Sequence, residues 1–365
     1  MKRNIMVVFG GNSTEHDISV ITAVEALHVM PIKGYNVLPV YIREGKWYTG
    51  SRLYDIKNYI EFAEKGMCEV RLIGNTLYKK GLGRKYTELA EIDCALLATH
   101  GGDGENGSLQ GLLECSGVPY TSPDVRVSAL CMDKHLTKLA VNALGIDTVD
   151  GREVLLPHCP EIIREIEEEF LYPLMVKPSS QGSSIGLTFA KNRGQLEEGL
   201  ILAKYFGPRA LVEKGLTDFV ELNVAVATIN GKIVVSDVER PISSNDFLTY
   251  GDKYLNGGKG MNDLKREFPA DIPSSLAEDI KDKAETIYKH LGMSGVVRMD
   301  FMKTDKAYLN EINTIPGSLA HYLFPNLSYT EFLRGLIDTA IARGAGRRVD
   351  FKTDVLRQLK GAIKK

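Results

Sequence analysis

The chain has 365 residues, 44% hydrophobic and 25% charged, with 35 glycines, which is room for two or three domains with cores of their own. A net charge of −2, without a basic block or a basic–aromatic stripe, argues against a nucleic-acid partner. The first apolar run stops after Phe9, too short for a leader or a membrane span, and five cysteines without a CxxC pair predict reduced thiols in a cytoplasmic protein.

Ile5 to Phe9 is a short, continuous apolar run, as a buried parallel strand requires. Gly10-Gly11 and the capping sequence Asn12-Ser13-Thr14-Glu15 then open a helix to about His28, and Val37 to Ile42 is the next strand. This βαβ start puts backbone N–H groups and a helix N-terminus at one sheet edge, with Glu15 and His16 in the first turn. Glu15 there is equally a dipole-favoured cap. Residues 50–90 carry no strong motif. Asp93 to Ala98 is another buried strand, running into Thr99 to Gly107, a loop whose glycines match neither a P-loop nor an EF-hand. Ser108 to Cys115 reads as a helix and Gly117 to Tyr120 as extended, with a domain boundary near Ser122-Pro123.

Asp133 to Leu144 is a helix carrying Lys134 and Lys138 four residues apart, and Ile162 to Phe170 is an acidic amphipathic helix. Tyr172 to Pro178, the small-residue loop Ser179 to Gly186 and Leu187 to Phe189 form a hairpin with a mobile tip. Its serine groups can cover phosphates, and Lys177 adds a point charge beside them; a plain flexible loop has the same composition. Arg209 to Leu216 is a strand entering a hinge, Glu221 to Thr228 its return, and Asp246 to Lys259 a polar loop that orders on ligand binding. Leu276 to His290 and Tyr329 to Ala345 are helices. Between them, Val296 to Met302 and Tyr308 to Asn313 form a hairpin. Centring its turn on Asp305-Lys306 sets Asp300 opposite Glu311 and Arg298 opposite Asn313. Opposed carboxylates repel and invite a cation, and Asp, Glu and Asn are hard donors suited to Mg2+ or Mn2+. A solvated hairpin face would carry the same residues.

At Lys177, Gly182-Ser183-Ser184-Ile185-Gly186 and Asp300…Glu311-x-Asn313 the chain resembles the ATP-grasp ligases. Further matches are Phe9-Gly10-Gly11-x-Ser13-x-Glu15-His16, His100-Gly101, Gly104-Glu105-x-Gly107, Met132-Asp133-Lys134, Lys253-Tyr254, Arg298-Met299-Asp300 and Asn310 to Gly317. With these it is similar to the D-alanine–D-alanine ligase family over residues 5–345. The resemblance implies an α/β chain: a Rossmann-like parallel-sheet domain over 1–122, an ATP-grasp lid domain over 123–213, and a C-terminal ATP-grasp domain over 214–365 with the metal and substrate site.

The resemblance also implies roles. Asp300, Glu311 and Asn313 would hold two Mg2+ or Mn2+ ions, with Glu311 bridging. Lys134 and Lys177 would grip the ATP phosphates under the Ser183-Ser184 loop, Glu213, Lys214 and Leu216 would meet the adenine, and Glu221 the ribose. Glu15 would hold the first D-alanine's ammonium, tied to the lid by Ser183 and Tyr254. Arg298 would stabilise the oxyanion and Lys253 the transferring phosphoryl group; His100, Gly317, Tyr322 and Leu323 would line the substrate site. The implied reaction joins two D-alanines through an acyl phosphate for peptidoglycan synthesis, with ATP and a divalent metal as cofactors, small-molecule substrates and a homodimeric assembly. A ligase with another acceptor, such as D-serine, and an ATP-binding regulatory protein without turnover are the alternatives. Two departures stand out. Phe247-Leu248-Thr249-Tyr250 replaces the family's usual Phe-Tyr-Asp-Tyr, and Tyr322 falls about where a serine is expected.

Overall fold

The computed structural model describes residues 2–81, 83, 85–242 and 266–344. Ile5 to Phe9 have no exposed surface because β1 (Arg3–Gly10) lies between two parallel strands, β2 (Tyr35–Arg43) and β7 (Cys94–Leu97). Helix α1 (His16–Val29) covers β1 with Val20, Ala23, Val24 and Leu27. On the far side of β2 the sheet continues as an antiparallel meander of β3 (Lys46–Thr49), β4 (Cys68–Ile73), β5 (Thr76–Lys80) and β6 (Tyr86–Glu91). These strands are short and largely open to solvent, which is why residues 50–90 carry so little pattern.

Since β2 and β7 flank β1 on opposite sides, the sheet has a switch point at the carboxyl end of β1, where ligands of such sheets bind. Ser19 closes that end. The Gly10 N–H donates to its hydroxyl at 2.7 Å, and the hydroxyl donates to the Ala98 carbonyl at 2.8 Å.

The second sheet, in the order β10-β9-β11-β8, is antiparallel: β8 (Gly151–Leu155), β9 (Leu174–Pro178), β10 (Thr188–Ala190) and β11 (Arg209–Lys214). The expected helix of the 160s packs here through Ile163 and Ile166, and so does a second helix, Arg193–Lys204. The loop between β9 and β10 is the expected hairpin tip.

The third sheet is β13-β12-β16-β17: β12 (Val220–Ile229), β13 (Lys232–Val235), β16 (Val296–Lys303) and β17 (Ala307–Asn313). A two-residue pair, β14 (Arg240–Pro241) with β15 (Arg266–Glu267), lies beside it. Val127, Cys131, Val141 and Ile146 share their apolar cluster with this third sheet, while the lid's own core begins at Val154. Residues 125–146 thus pack against the third sheet. Helix Tyr329–Arg343 buries Phe332, Leu336 and Ile337 in the first core, and Arg343 donates to the Tyr120 and Ser122 carbonyls.

The β16–β17 register places Asp300 opposite Glu311 and Arg298 opposite Asn313, as counting along the hairpin requires. Nearer the turn the pairing shifts by one residue, Phe301 opposing Leu309 and Lys303 opposing Ala307. The extra residue is Asn310, a β-bulge, and bulges re-aim side chains.

Candidate active site

Glu15 caps the start of α1 at the switch point. Two glycines make room for its carboxylate. A Cβ on Gly101 (φ +62°) would lie 2.6 Å from Glu15 Oε2, and one on Gly182 would lie 2.8 Å from the same atom. Gly182 belongs to the lid tip, whose Ser183 and Ser184 adopt φ of 52° and 58°. The Ser183 hydroxyl donates to Glu15 Oε1, so the lid tip rests on the first domain.

Beneath the tip lies a cleft of about 760 Å3 between the lid sheet and the third sheet, lined by Lys134, Lys177, Met175, Leu216, Glu221 and Glu311 among others. The Lys134 ammonium donates to the Gln181 carbonyl. Burial lowers the Lys134 pKa, with Glu311 opposing that effect. Lys177 is 2.5 Å from Glu213 Oε2 and donates to Asn310 Oδ1 at 2.9 Å, the side chain that the bulge turns toward it. Lys138 pairs with the other Glu213 oxygen and donates to the Val149 carbonyl at 2.8 Å. Burial alone would raise the Glu213 carboxyl, but Lys177 and Lys138 outweigh it and hold it below the usual range. Glu213 thus anchors two lysines, and it also lines the cleft. Lys214 pairs with Asp150 at 2.5 Å at the rim. Ser184 and Leu216 line the same cleft.

A second cleft, about 720 Å3, shares Glu221 and Glu311 with the first and is walled by Glu15, Ser183, Arg298, Asn313, Gly317 and Tyr322 among others. Arg298 forks onto Asp300, Nε to Oδ1 at 2.7 Å and Nη2 to Oδ2 at 2.8 Å, and Asn313 Nδ2 donates to Oδ2 at 3.1 Å. Among the described residues no three His, Cys, Asp or Glu side chains converge as a metal cage. The expected set contains two carboxylates and the Asn313 amide. Asp300 is 1% exposed and already needs the Arg298 cation, so a hard divalent cation at this edge fits its chemistry.

His100 is a brace. Its Nδ1–H donates to the Ile315 carbonyl at 2.6 Å, which leaves Nε2 to accept from the Thr22 hydroxyl at 2.8 Å. Burial lowers its pKa to about 4, so the ring is neutral. Glu105 is a second brace that motif matching left without a role. It accepts from the Gly101 N–H at 2.9 Å, the Ile315 N–H at 3.0 Å and the Thr314 hydroxyl at 3.1 Å. Burial, with the Glu15 charge, pushes its carboxyl up to about 7. An acid inside a glycine-rich loop was the available signal.

After Pro316 the chain makes an unusual turn: Ser318, Leu319 and Ala320 take φ of 48°, 50° and 48°. Such backbone costs ~1–2 kcal/mol per residue. It is held by α1, where Thr22 Oγ1 accepts from the Ser318 N–H at 3.0 Å and Glu25 accepts from the Ser318 hydroxyl at 2.8 Å. Tyr322 leaves this turn into the cleft. Leu323 does not. Its side chain is 1% exposed and packed in the first core. Lys253 and Tyr254, with Tyr250 and the loop around them, lie outside the described residues.

Family profiles described as "D-ala D-ala ligase N-terminus" and "D-ala D-ala ligase C-terminus" match residues 4–123 and 142–334. The chain belongs to the D-alanine–D-alanine ligase family. Its relatives include the D-alanine–D-alanine ligases of Thermosipho melanesiensis, 36% identical over 96% of this chain and 95% of that one, and of Caldicellulosiruptor bescii, 34% identical over 95% and 97%. Among solved structures, the VanG D-Ala:D-Ser ligase from Enterococcus faecalis superposes with a TM-score of 0.79 at 30% identity, covering 93% of this chain and all of that one. The D-alanine–D-alanine ligase from Helicobacter pylori gives 0.74 at 28%, covering 92% and 98%. The family is one of ATP-dependent ligases with the ATP-grasp fold. Both D-Ala and D-Ser acceptors appear in the names of these relatives, so acceptor preference has to be argued from this chain's own site.

Proposed function

We propose that the protein joins two D-alanines to D-alanyl-D-alanine, driven by ATP, and so supplies a precursor for peptidoglycan. What supports this best is the meeting of two clefts at Glu311, one flanked by lysines and of nucleotide size, the other amino-acid-like in polarity and closed by Ser183 on Glu15. Lys134 and Lys177 take the phosphates, and Glu221 and Leu216 border the nucleoside. Glu15 pairs with the donor's ammonium and aims its carboxylate at the γ-phosphate. That carboxylate oxygen forms the new P–O bond as ADP leaves. The acceptor's free amine then attacks the acyl carbonyl, whose oxyanion faces Arg298. The C–N bond forms, the C–O bond to phosphate breaks, and the amine's proton leaves with the phosphate.

Asp300, Glu311 and Asn313 would hold Mg2+ or Mn2+, which supplies neutralising charge beside the phosphates. The lid contact on Glu15 excludes water from an intermediate that water would destroy. Lys253 and Tyr254 complete the phosphoryl and lid contacts in this proposal, which also places the protein in the cytoplasm as a homodimer; light scattering on the purified chain checks the dimer. The chemistry is tested by ATP-dependent phosphate release with products identified by mass. Dipeptide from D-alanine alone is expected. ATP binding without any dipeptide would replace this reading with a regulatory one.

A further inference from the structure

Helix α1 starts without help from its own capping side chain. Glu15 is the N-cap residue, but its carboxylate makes no bond to the helix end and meets the Ser183 hydroxyl instead. The start is fixed by its neighbours. The Glu15 N–H donates to Ser13 Oγ at 3.0 Å, and His16, the next residue, reaches in two directions. Its Nδ1 is 2.7 Å from the Gly11 carbonyl oxygen, and its Nε2 is 2.7 Å from the Tyr41 hydroxyl. A carbonyl only accepts, so Nδ1 carries the proton and Nε2 accepts from Tyr41. One imidazole thus joins the turn before α1 to strand β2.

Both anchors are firmly packed. Tyr41 is 1% exposed, its ring centroid 5.3 Å from that of Phe9, 5.1 Å from Tyr59 and 5.2 Å from Phe62. The Gly10-Gly11 turn lies directly on it. A Cβ on Gly10 (φ +85°) would come within 2.3 Å of the Ile42 carbonyl oxygen and 2.9 Å of the Tyr41 ring. The Gly11 N–H donates to the same Ile42 carbonyl at 2.8 Å. On the other side the turn abuts the 101–102 loop, where a Cβ on Gly102 would lie 2.4 Å from the Asn12 carbonyl oxygen. The stretch from Asn12 to Glu15 is therefore held between two surfaces, and His16 ties it to the rear one. Glu15 and Ile18 line the substrate cleft, whereas His16 and Val20 line a separate recess with Tyr41, Tyr59 and Phe62.

We infer that His16 is a positioning residue for the donor amino acid: by bridging the Gly11 carbonyl and the Tyr41 hydroxyl, it fixes where the Glu15 carboxylate stands. The inference rests on the ligase reading above, in which Glu15 meets the donor's ammonium, and it adds a residue that touches neither substrate. Glu15 and His16 are adjacent at the start of α1, so a pivot of the first turn carries the carboxylate with it. Thr22 and Glu25 tie the helix only farther along, which leaves its start dependent on ties of its own. A misplacement of about 1 Å in a group that orients a reactant costs up to ~100-fold in rate. His16 thus acts on the first half of the reaction through Glu15.

The test uses the full chain with ATP and Mg2+. Initial rates over a wide range of D-alanine are resolved into donor and acceptor Michaelis constants, and ATP binding is followed by calorimetry. His16→Ala should raise the donor constant by about tenfold or more, while the acceptor constant and the ATP Kd stay within about twofold. His16→Asn, whose amide nitrogen stands in for Nδ1 and leaves Nε2 unreplaced, should recover part of the loss. Tyr41→Phe removes one hydroxyl and keeps the ring, and should raise the donor constant about threefold or more. Combined with His16→Asn it should add little, because both variants break the same bond. Thermal melts separate misfolding from a changed site, and where His16→Ala does not fold, Tyr41→Phe carries the test. An unchanged donor constant in His16→Ala or Tyr41→Phe, or donor, acceptor and ATP constants raised together, overturns the positioning role. Full additivity of His16→Asn with Tyr41→Phe overturns the bridge. Wild-type protein that makes no dipeptide overturns the ligase reading itself, and that result is distinct from either.

Discussion

Glu213→Gln is the substitution whose cost follows most directly from the geometry. Glu213 is 1% exposed and balances two ammonium groups, Lys138 on one oxygen and Lys177 on the other. Glutamine keeps the shape and removes the charge, leaving two buried cations facing each other. Removing one partner of a buried pair costs ~3–5 kcal/mol. One relief is available: burial already lowers the Lys138 pKa, so Lys138 can shed its proton. The loss should therefore sit near the lower end, ~3 kcal/mol, or roughly 6–12 °C in Tm at ~2–4 °C per kcal/mol. The sign with pH follows. In the variant the folded lysine pKa is depressed below its unfolded value, so the unfolded state binds more protons between the two, and stability recovers as pH rises toward 10. ATP should also restore part of it, because its phosphates bring charge back to Lys177. The assay is thermal melting with and without ATP, at pH 7 and 9.5. A variant that melts within a degree or two of wild type at pH 7 without nucleotide would refute the buried triad.

Three further outcomes are expected. His100 and Glu105 act oppositely with pH. The depressed His100 makes the fold lose stability as pH falls from about 6.5 toward 4, by up to ~3 kcal/mol, whereas the raised Glu105 makes it lose stability as pH rises from 4.5 through about 7. Glu105→Gln should therefore unmask the acid loss, read as a steeper fall in urea midpoint between pH 6.5 and 5; an unchanged slope would refute the opposition. Gly101→Ala puts a methyl against Glu15 in a left-handed backbone, and should raise the donor's Michaelis constant more than tenfold while ATP binding, followed by calorimetry, is retained. Asp300→Asn should lower turnover by more than a hundredfold with the fold kept by circular dichroism, and unimpaired turnover would remove it from the metal set.

Much of this was readable along the chain. Continuous burial of Ile5 to Phe9 follows from an unbroken apolar run, and the pairing of Asp300 with Glu311 from counting along a hairpin. That count succeeded through compensation: the turn sits one residue off, and the Asn310 bulge restores the register where the acids are. Helix Arg193–Lys204 was legible in principle. Asn192 caps it through the Gln195 N–H at 3.1 Å, and Leu196, Leu200 and Ala203 repeat at helical spacing. The braces were beyond local pattern. His100 meets Ile315 across 215 positions and Lys177 meets Asn310 across 133, and no window of sequence reports such contacts. Why residues 125–146 share a core with the third sheet is equally tertiary: their apolar spacing serves either neighbour.

Helix α1 has a further consequence. Glu15 stands at its start, and Thr22 and Glu25, two and three turns on, clamp the turn that presents Tyr322. One rigid rod thus sets the distance between Glu15 and the turn at 318–320, with about 10 Å of axial rise from Glu15 to Thr22. Changes in residues 318–322 can then be absorbed without disturbing Glu15, because the spacing is set by the helix. A shortening of the rod by one residue would rotate Thr22 and Glu25 away from Ser318 while Glu15 stayed in place.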